Sequence, residues 1–123
     1  PVAEARLEHL DSSLADLPTI RAYLAKAWAD LAAHEALLKE TAGRVAAPDD
    51  GTVLAVLATK AACNEAALRI TDTAMRVAGG AGFSRQLGIE RLARDARAGF
   101  VMAPTSDALF DFAGRALCGM ELF

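Results

Sequence analysis

A chain of 123 residues that is 54% hydrophobic and 24% charged, with 9 Gly and 4 Pro, has the composition of one globular domain rather than a disordered segment. Its 16 acidic residues against 13 basic ones leave a formal charge of −3, which excludes the basic stripe that a nucleic-acid surface needs to neutralise phosphates. Small molecules and other proteins remain as partners, and abundant Ala and Leu with few aromatic residues predict an all-α fold, because unbranched side chains lose little rotamer freedom in a helix.

Residues 1–17 form a charged lead-in in which Leu7, Leu10, Leu14 and Leu17 recur at helical spacing, as the tail of a longer helix would. The chain opens at Pro1 with no initiator Met and no basic-then-apolar leader, which reads as a piece of a longer polypeptide. Pro18, tolerated in a first helical turn, begins a helix expected to run to about Gly43, with Ile20, Leu24, Ala27, Leu31 and Leu38 along one stripe. Tyr23 and Trp28 lie on this helix and are expected to pack against its apolar side. The cluster Pro48, Asp49, Asp50 and Gly51 makes a turn and offers capping oxygens to the next helix, closing an αα-hairpin.

From Val53 to about Ala78 the pattern is helical again, with apolar and small residues on more than one face, so this helix wants neighbours on several sides. Those neighbours are expected to come partly from other domains or subunits. Gly79, Gly80 and Gly82 stop it, a third helix is expected over Ile89 to Ala98, and a fourth from about Thr105 to Leu117, capped by Thr105 or Ser106. Residues 1–123 are thus expected to make a single up-down four-helix bundle.

No apolar run approaches the roughly 20 residues that span a bilayer, and charges such as Arg69, Asp72 and Arg76 interrupt each long segment; a cytoplasmic protein is expected. Cys63 and Cys118 lack partners at metal-ligand spacing and read as buried thiols, while His9 and His34 stand alone on their segments, so no metal site is expected.

The stretch Arg76-Val77-Ala78-Gly79-Gly80-Ala81-Gly82-Phe83, followed by Ile89-Glu90-Arg91 and Arg94-Asp95-Ala96-Arg97, resembles the C-terminal signature of the acyl-CoA dehydrogenase family. The family pattern is a polar residue, two apolar residues, GG, any residue, G and an aromatic, then ER and RDA; order and spacing match over some twenty residues. The likeness extends less tightly over the helical hairpin, so the whole chain would be about the final third of a family member. It implies an FAD-dependent oxidoreductase acting on acyl-CoA-type substrates, assembled as a homo-oligomer, dimer or tetramer, or with a related subunit.

Physically, Gly79 and Gly80 are positioned to end a helix with φ > 0 and to let backbone N–H groups approach a phosphate. By the resemblance this segment contacts the FAD of a neighbouring subunit, with Arg76 where the family usually has glutamine; an arginine there would pair strongly with phosphate. Thr105, and Asp107 at the polar position after Thr-Ser, are implied to touch the same cofactor, near a helix start where free N–H groups favour anions. The alternative for each is a plain helix cap with no ligand. Arg91 and Asp95, four apart on a helix, are expected to pair with each other.

After RDA the family has an aromatic-Glu-Gly-Thr loop whose glutamate is in many members the catalytic base that removes the substrate α-proton. The corresponding residues here are Met102, Ala103, Pro104 and Thr105, so no base stands at that place and no catalytic residue is assigned. Three explanations stay open: a base on an upstream helix, a flavin monooxygenase of the same fold that needs none, or a non-catalytic subunit of a mixed dehydrogenase. A fourth possibility is a helical interaction module that binds no flavin. The apolar end, Phe110, Phe112, Leu117, Met120, Leu122 and Phe123, is expected to dock at a subunit contact.

Overall fold

The computed structural model describes residues 4, 6, 7 and 12–121. The lead-in does not continue as a helix where it is described. Arg6–Leu7 (β1) pairs antiparallel with Ser12–Ser13 (β2), and Leu14–Asp16 makes a single 3-10 turn held by Asp16, whose carboxylate accepts from the Ser13 N–H at 2.7 Å. Leu17 is extended, at φ −84° and ψ 121°, because it precedes Pro18 and the proline ring disfavours a helical residue before it. The helical spacing of Leu14 and Leu17 therefore has no helix beneath it, and Leu10 lies outside the described residues.

Four helices follow, as the sequence predicts: α1 (Pro18–Ala46), α2 (Thr52–Ala78), α3 (Ile89–Val101) and α4 (Ser106–Leu117). The first runs a little past Gly43 and stops before Pro48, again where the chain must leave helical dihedrals. Between α1 and α2 the carboxylate of Asp49 accepts from the Gly51 N–H at 2.9 Å and from Thr52 Oγ1 at 3.0 Å, so it orders the turn while Gly51, without a side chain, takes the cap position. Thr105 caps α4 by accepting from the Ala108 N–H at 3.5 Å.

α2 is the hub: α1, α3 and α4 each pack on it, while the other helix pairs touch weakly or not at all. That is why its apolar residues are distributed around it. The buried residues are small, Ala61, Ala66, Val77 and Ala78 on α2 with Leu109 and Ala113 on α4, and small side chains let helix axes approach closely. Across the hairpin, Thr41 and Thr59 bury their hydroxyls against each other at 2.6 Å, each satisfying the other.

The α1 stripe divides in two. Ile20 and Ala27 are half-buried, whereas Leu24, Leu31 and Leu38 are exposed, and with Leu17 and Val45 they recur every seventh residue along one face. Trp28, expected to pack, stands 71% exposed beside this row. The row borders an apolar groove of about 540 Å³ between α1 and α2, lined among others by Leu38, Val45, Val56 and Cys63. Among the described residues no helix is long and apolar enough to cross a membrane.

Candidate functional site

The glycine-rich turn follows the last residue of α2, and its three signature glycines act differently. Gly79 has φ 56° and ψ −142°, a combination adopted readily by glycine alone, and its N–H caps the helix by donating to the Met75 carbonyl. Gly82 is buried, and a Cβ there would stand 3.1 Å from Ala78 Cβ and 3.2 Å from Met75 Sδ, so a side chain at this position would require its neighbours to give way. Gly80 departs from the expected positive φ: it is an exposed residue of the 3-10 turn Gly79–Phe83, and a Cβ on it would meet no atom within 4 Å. The space outside Gly79 and Gly80 is open, as a backbone approached by a ligand requires.

Arg76 projects from the last turn of α2, exposed to solvent, and its guanidinium carbon lies over the Tyr23 ring at 5.1 Å from the centroid. Tyr23 comes from the start of α1, brought there because the hairpin is antiparallel. Among the described residues no carboxylate pairs with Arg76, whereas Arg44, Arg69 and Arg97 pair with Glu40, Asp30 and Asp72. Arg85 and Arg91, which follow the turn, also lack a carboxylate partner among the described residues. The expected Arg91–Asp95 pair does not form; Asp95 Oδ1 lies 3.8 Å from Arg94 Nε instead. Arg76, Arg85 and Arg91, close in sequence to the glycine turn, are thus three cations without a carboxylate partner among the described residues.

Thr105 and Asp107 lie elsewhere. Lys60 Nζ donates to the Pro104 carbonyl at 3.2 Å, and Asn64 Nδ2 donates to the Gly99 carbonyl at 2.9 Å, which fastens the α3–α4 connection to the first half of α2. Lys60 precedes Arg76 by about 24 Å of helix. The residues Arg76, Gly79 and Gly80 are therefore not brought together with Thr105 and Asp107 into one pocket. Asp107 is exposed in the first turn of α4, and Ser106 beside it is fully buried, with Oγ unpartnered among the described residues. Ala103 and its neighbours Met102 and Pro104 are exposed in the bend before α4.

Cys63 is half-buried, and desolvation pushes its thiol pKa up; Cys118, contrary to expectation, is exposed just beyond the end of α4 at Leu117. No metal-binding cluster occurs among the described residues. His34 Nδ1 donates to the Asp30 carbonyl at 2.7 Å, while His9 lies outside the described residues. At the chain end Phe110, Leu117 and Met120 are exposed, and Leu122 and Phe123 lie outside the described residues.

The model of the acyl-CoA dehydrogenase C-terminal domain matches residues 4–118, nearly the whole chain. The chain belongs to this family. A search of curated proteins finds no match. The acyl-CoA dehydrogenase C-terminal domain seen here has an all-α architecture of four helices. Tyr23, read from the sequence as a packing residue, is the neighbour of Arg76 that sequence reasoning missed. No local signal marked it, because its partner is remote in sequence.

Proposed function

We propose that this domain contributes contacts to FAD, and an oligomerisation surface, in an acyl-CoA dehydrogenase-like oxidoreductase whose remaining flavin site lies in other domains or a neighbouring subunit. The observation that carries this reading is the end of α2: an exposed Arg76, without a carboxylate partner among the described residues, beside a glycine turn with open space outside Gly79 and Gly80. A guanidinium there donates to a pyrophosphate in bidentate fashion, with Arg85 and Arg91 adding positive potential. The Gly79 N–H is spent on the helix cap, so the side chain of Arg76 rather than that amide is the principal donor. The separation of Thr105 and Asp107 from Arg76 supports their contacting a different part of the cofactor, or a second flavin across a subunit boundary.

FAD, when bound, would supply the hydride acceptor for an acyl-CoA-type substrate, and Arg76 with the glycine turn would help to hold and orient it. Ala103 supplies no proton acceptor, so α-proton removal needs a carboxylate upstream of these residues. The exposed row of Leu17, Leu24, Leu31, Leu38 and Val45 supports a second reading, in which the domain serves chiefly as a helical interaction module.

The test is to express the complete gene product, measure bound flavin, and titrate it anaerobically with acyl-CoA thioesters while following flavin absorbance. Bleaching is the expected result. Flavin that no thioester reduces would point to a monooxygenase or a non-catalytic subunit, and absence of flavin would favour the interaction module.

A further inference from the structure

We propose that Tyr23 is a positioning residue for Arg76: its ring holds the guanidinium at the end of α2 in the pose that meets a pyrophosphate. This rests on the proposed flavin contact and adds to it a residue from a different helix. Arg76 is a long, exposed side chain, and ordering such a side chain on binding an anion costs rotamer entropy. The ring of Tyr23, 5.1 Å from the guanidinium carbon, restrains it before any ligand arrives. A ring face takes up no N–H donor, and no carboxylate among the described residues claims one, so the donors stay available to phosphate oxygens.

The placement is built into the hairpin. Seven residues further along α1 and seven back along α2, Asp30 accepts from Arg69 Nε and Nη2, both at 2.9 Å. That pair fixes the same antiparallel register that brings Tyr23 to Arg76, and a register fixed by a second, directional contact leaves little slack for the ring to slide away. Tyr23 itself is half-buried, so its ring is less free than the arginine it restrains.

The experiment is a double-mutant cycle on the full-length protein, stripped of flavin and titrated with FAD. Tyr23→Leu is expected to weaken FAD binding about three- to fivefold, the scale of an exposed cation–π contact. Tyr23→Phe, which keeps the ring and loses the hydroxyl, is expected to bind as wild type. In an Arg76→Ala background Tyr23→Leu is expected to have no further effect. Wild-type affinity in Tyr23→Leu would overturn the proposal, as would an equal loss in both backgrounds, which marks a general packing role. A loss in Tyr23→Phe matching that in Tyr23→Leu would assign the effect to the hydroxyl and overturn it as well. A wild-type protein that takes up no FAD would instead overturn the flavin reading itself.

Discussion

Arg69 grips Asp30 with two parallel hydrogen bonds, Nε and Nη2 each 2.9 Å from a carboxylate oxygen, and so ties the middle of α1 to α2 across the hairpin. The pair sits one heptad from the Tyr23–Arg76 contact on both helices, so a single antiparallel register serves an ion pair and a cation–π pair. Bidentate geometry places this pair at the upper end of what surface ion pairs contribute.

The hydrogen bonds from Arg69 hold the Asp30 carboxyl below its ordinary pKa, outweighing the opposing effect of desolvation. A carboxylate depressed in the folded state adds stability that is fully present above its unfolded value, near 4, and is lost as pH falls through the lower folded value. Asp30→Asn is expected to cost about 1 kcal/mol at neutral pH, because Arg69 is half-exposed and solvent screens the pair. Denaturation midpoints of the intact protein should show this difference at pH 7 and a narrowing gap as pH drops below 4; a gap independent of pH would contradict the assignment.

The Thr41–Thr59 pair predicts a non-additive pattern. Thr59→Val leaves the buried Thr41 hydroxyl without a partner and is expected to cost about 1–3 kcal/mol. Replacing both threonines by valine removes the orphan and should recover most of that loss, since the shape is kept. Urea denaturation of the two single variants and the double variant checks it.

Glycine substitutions should separate folding from binding in the turn. Gly79→Ala forces an alanine into φ 56° and is expected to destabilise the end of α2 by at least about 1 kcal/mol. Gly80→Ala meets open space at an ordinary φ, so thermal stability should be unchanged or slightly raised. If the cofactor approaches this backbone closely, Gly80→Ala nonetheless weakens FAD retention; retention equal to wild type would place the ligand farther out.

Leu109 is the largest fully buried side chain among the described residues and anchors α4 on α2. Leu109→Ala is expected to cost about 2–5 kcal/mol through lost burial and the cavity left behind. Because α4 carries Thr105 and Asp107, faster amide hydrogen exchange should appear first in α4 and the bend before it, ahead of the α1–α2 hairpin.

The sequence by itself determined where helices start and stop, because those decisions are local. Pro18 bars a helical Leu17, Pro48 and Gly51 end one helix and begin the next, Gly79 supplies a φ that other residues resist, and Thr105 offers its hydroxyl to an N–H three residues on. The signature from Arg76 to Arg97 was likewise legible, since its order and spacing lie within one stretch of chain. Tertiary structure alone decided what faces what. The stripe from Ile20 to Leu38 has one periodicity, yet Ile20 and Ala27 are half-buried while Leu24, Leu31 and Leu38 are exposed, which depends on how closely the two helices meet along their length. Arg76 finds Tyr23 for the same reason, and Arg76 is kept from Thr105 by the length of α2 between Lys60 and Arg76. Local chemistry is written into neighbouring residues; partners remote in sequence are chosen by packing, which depends on every side chain in the interface at once.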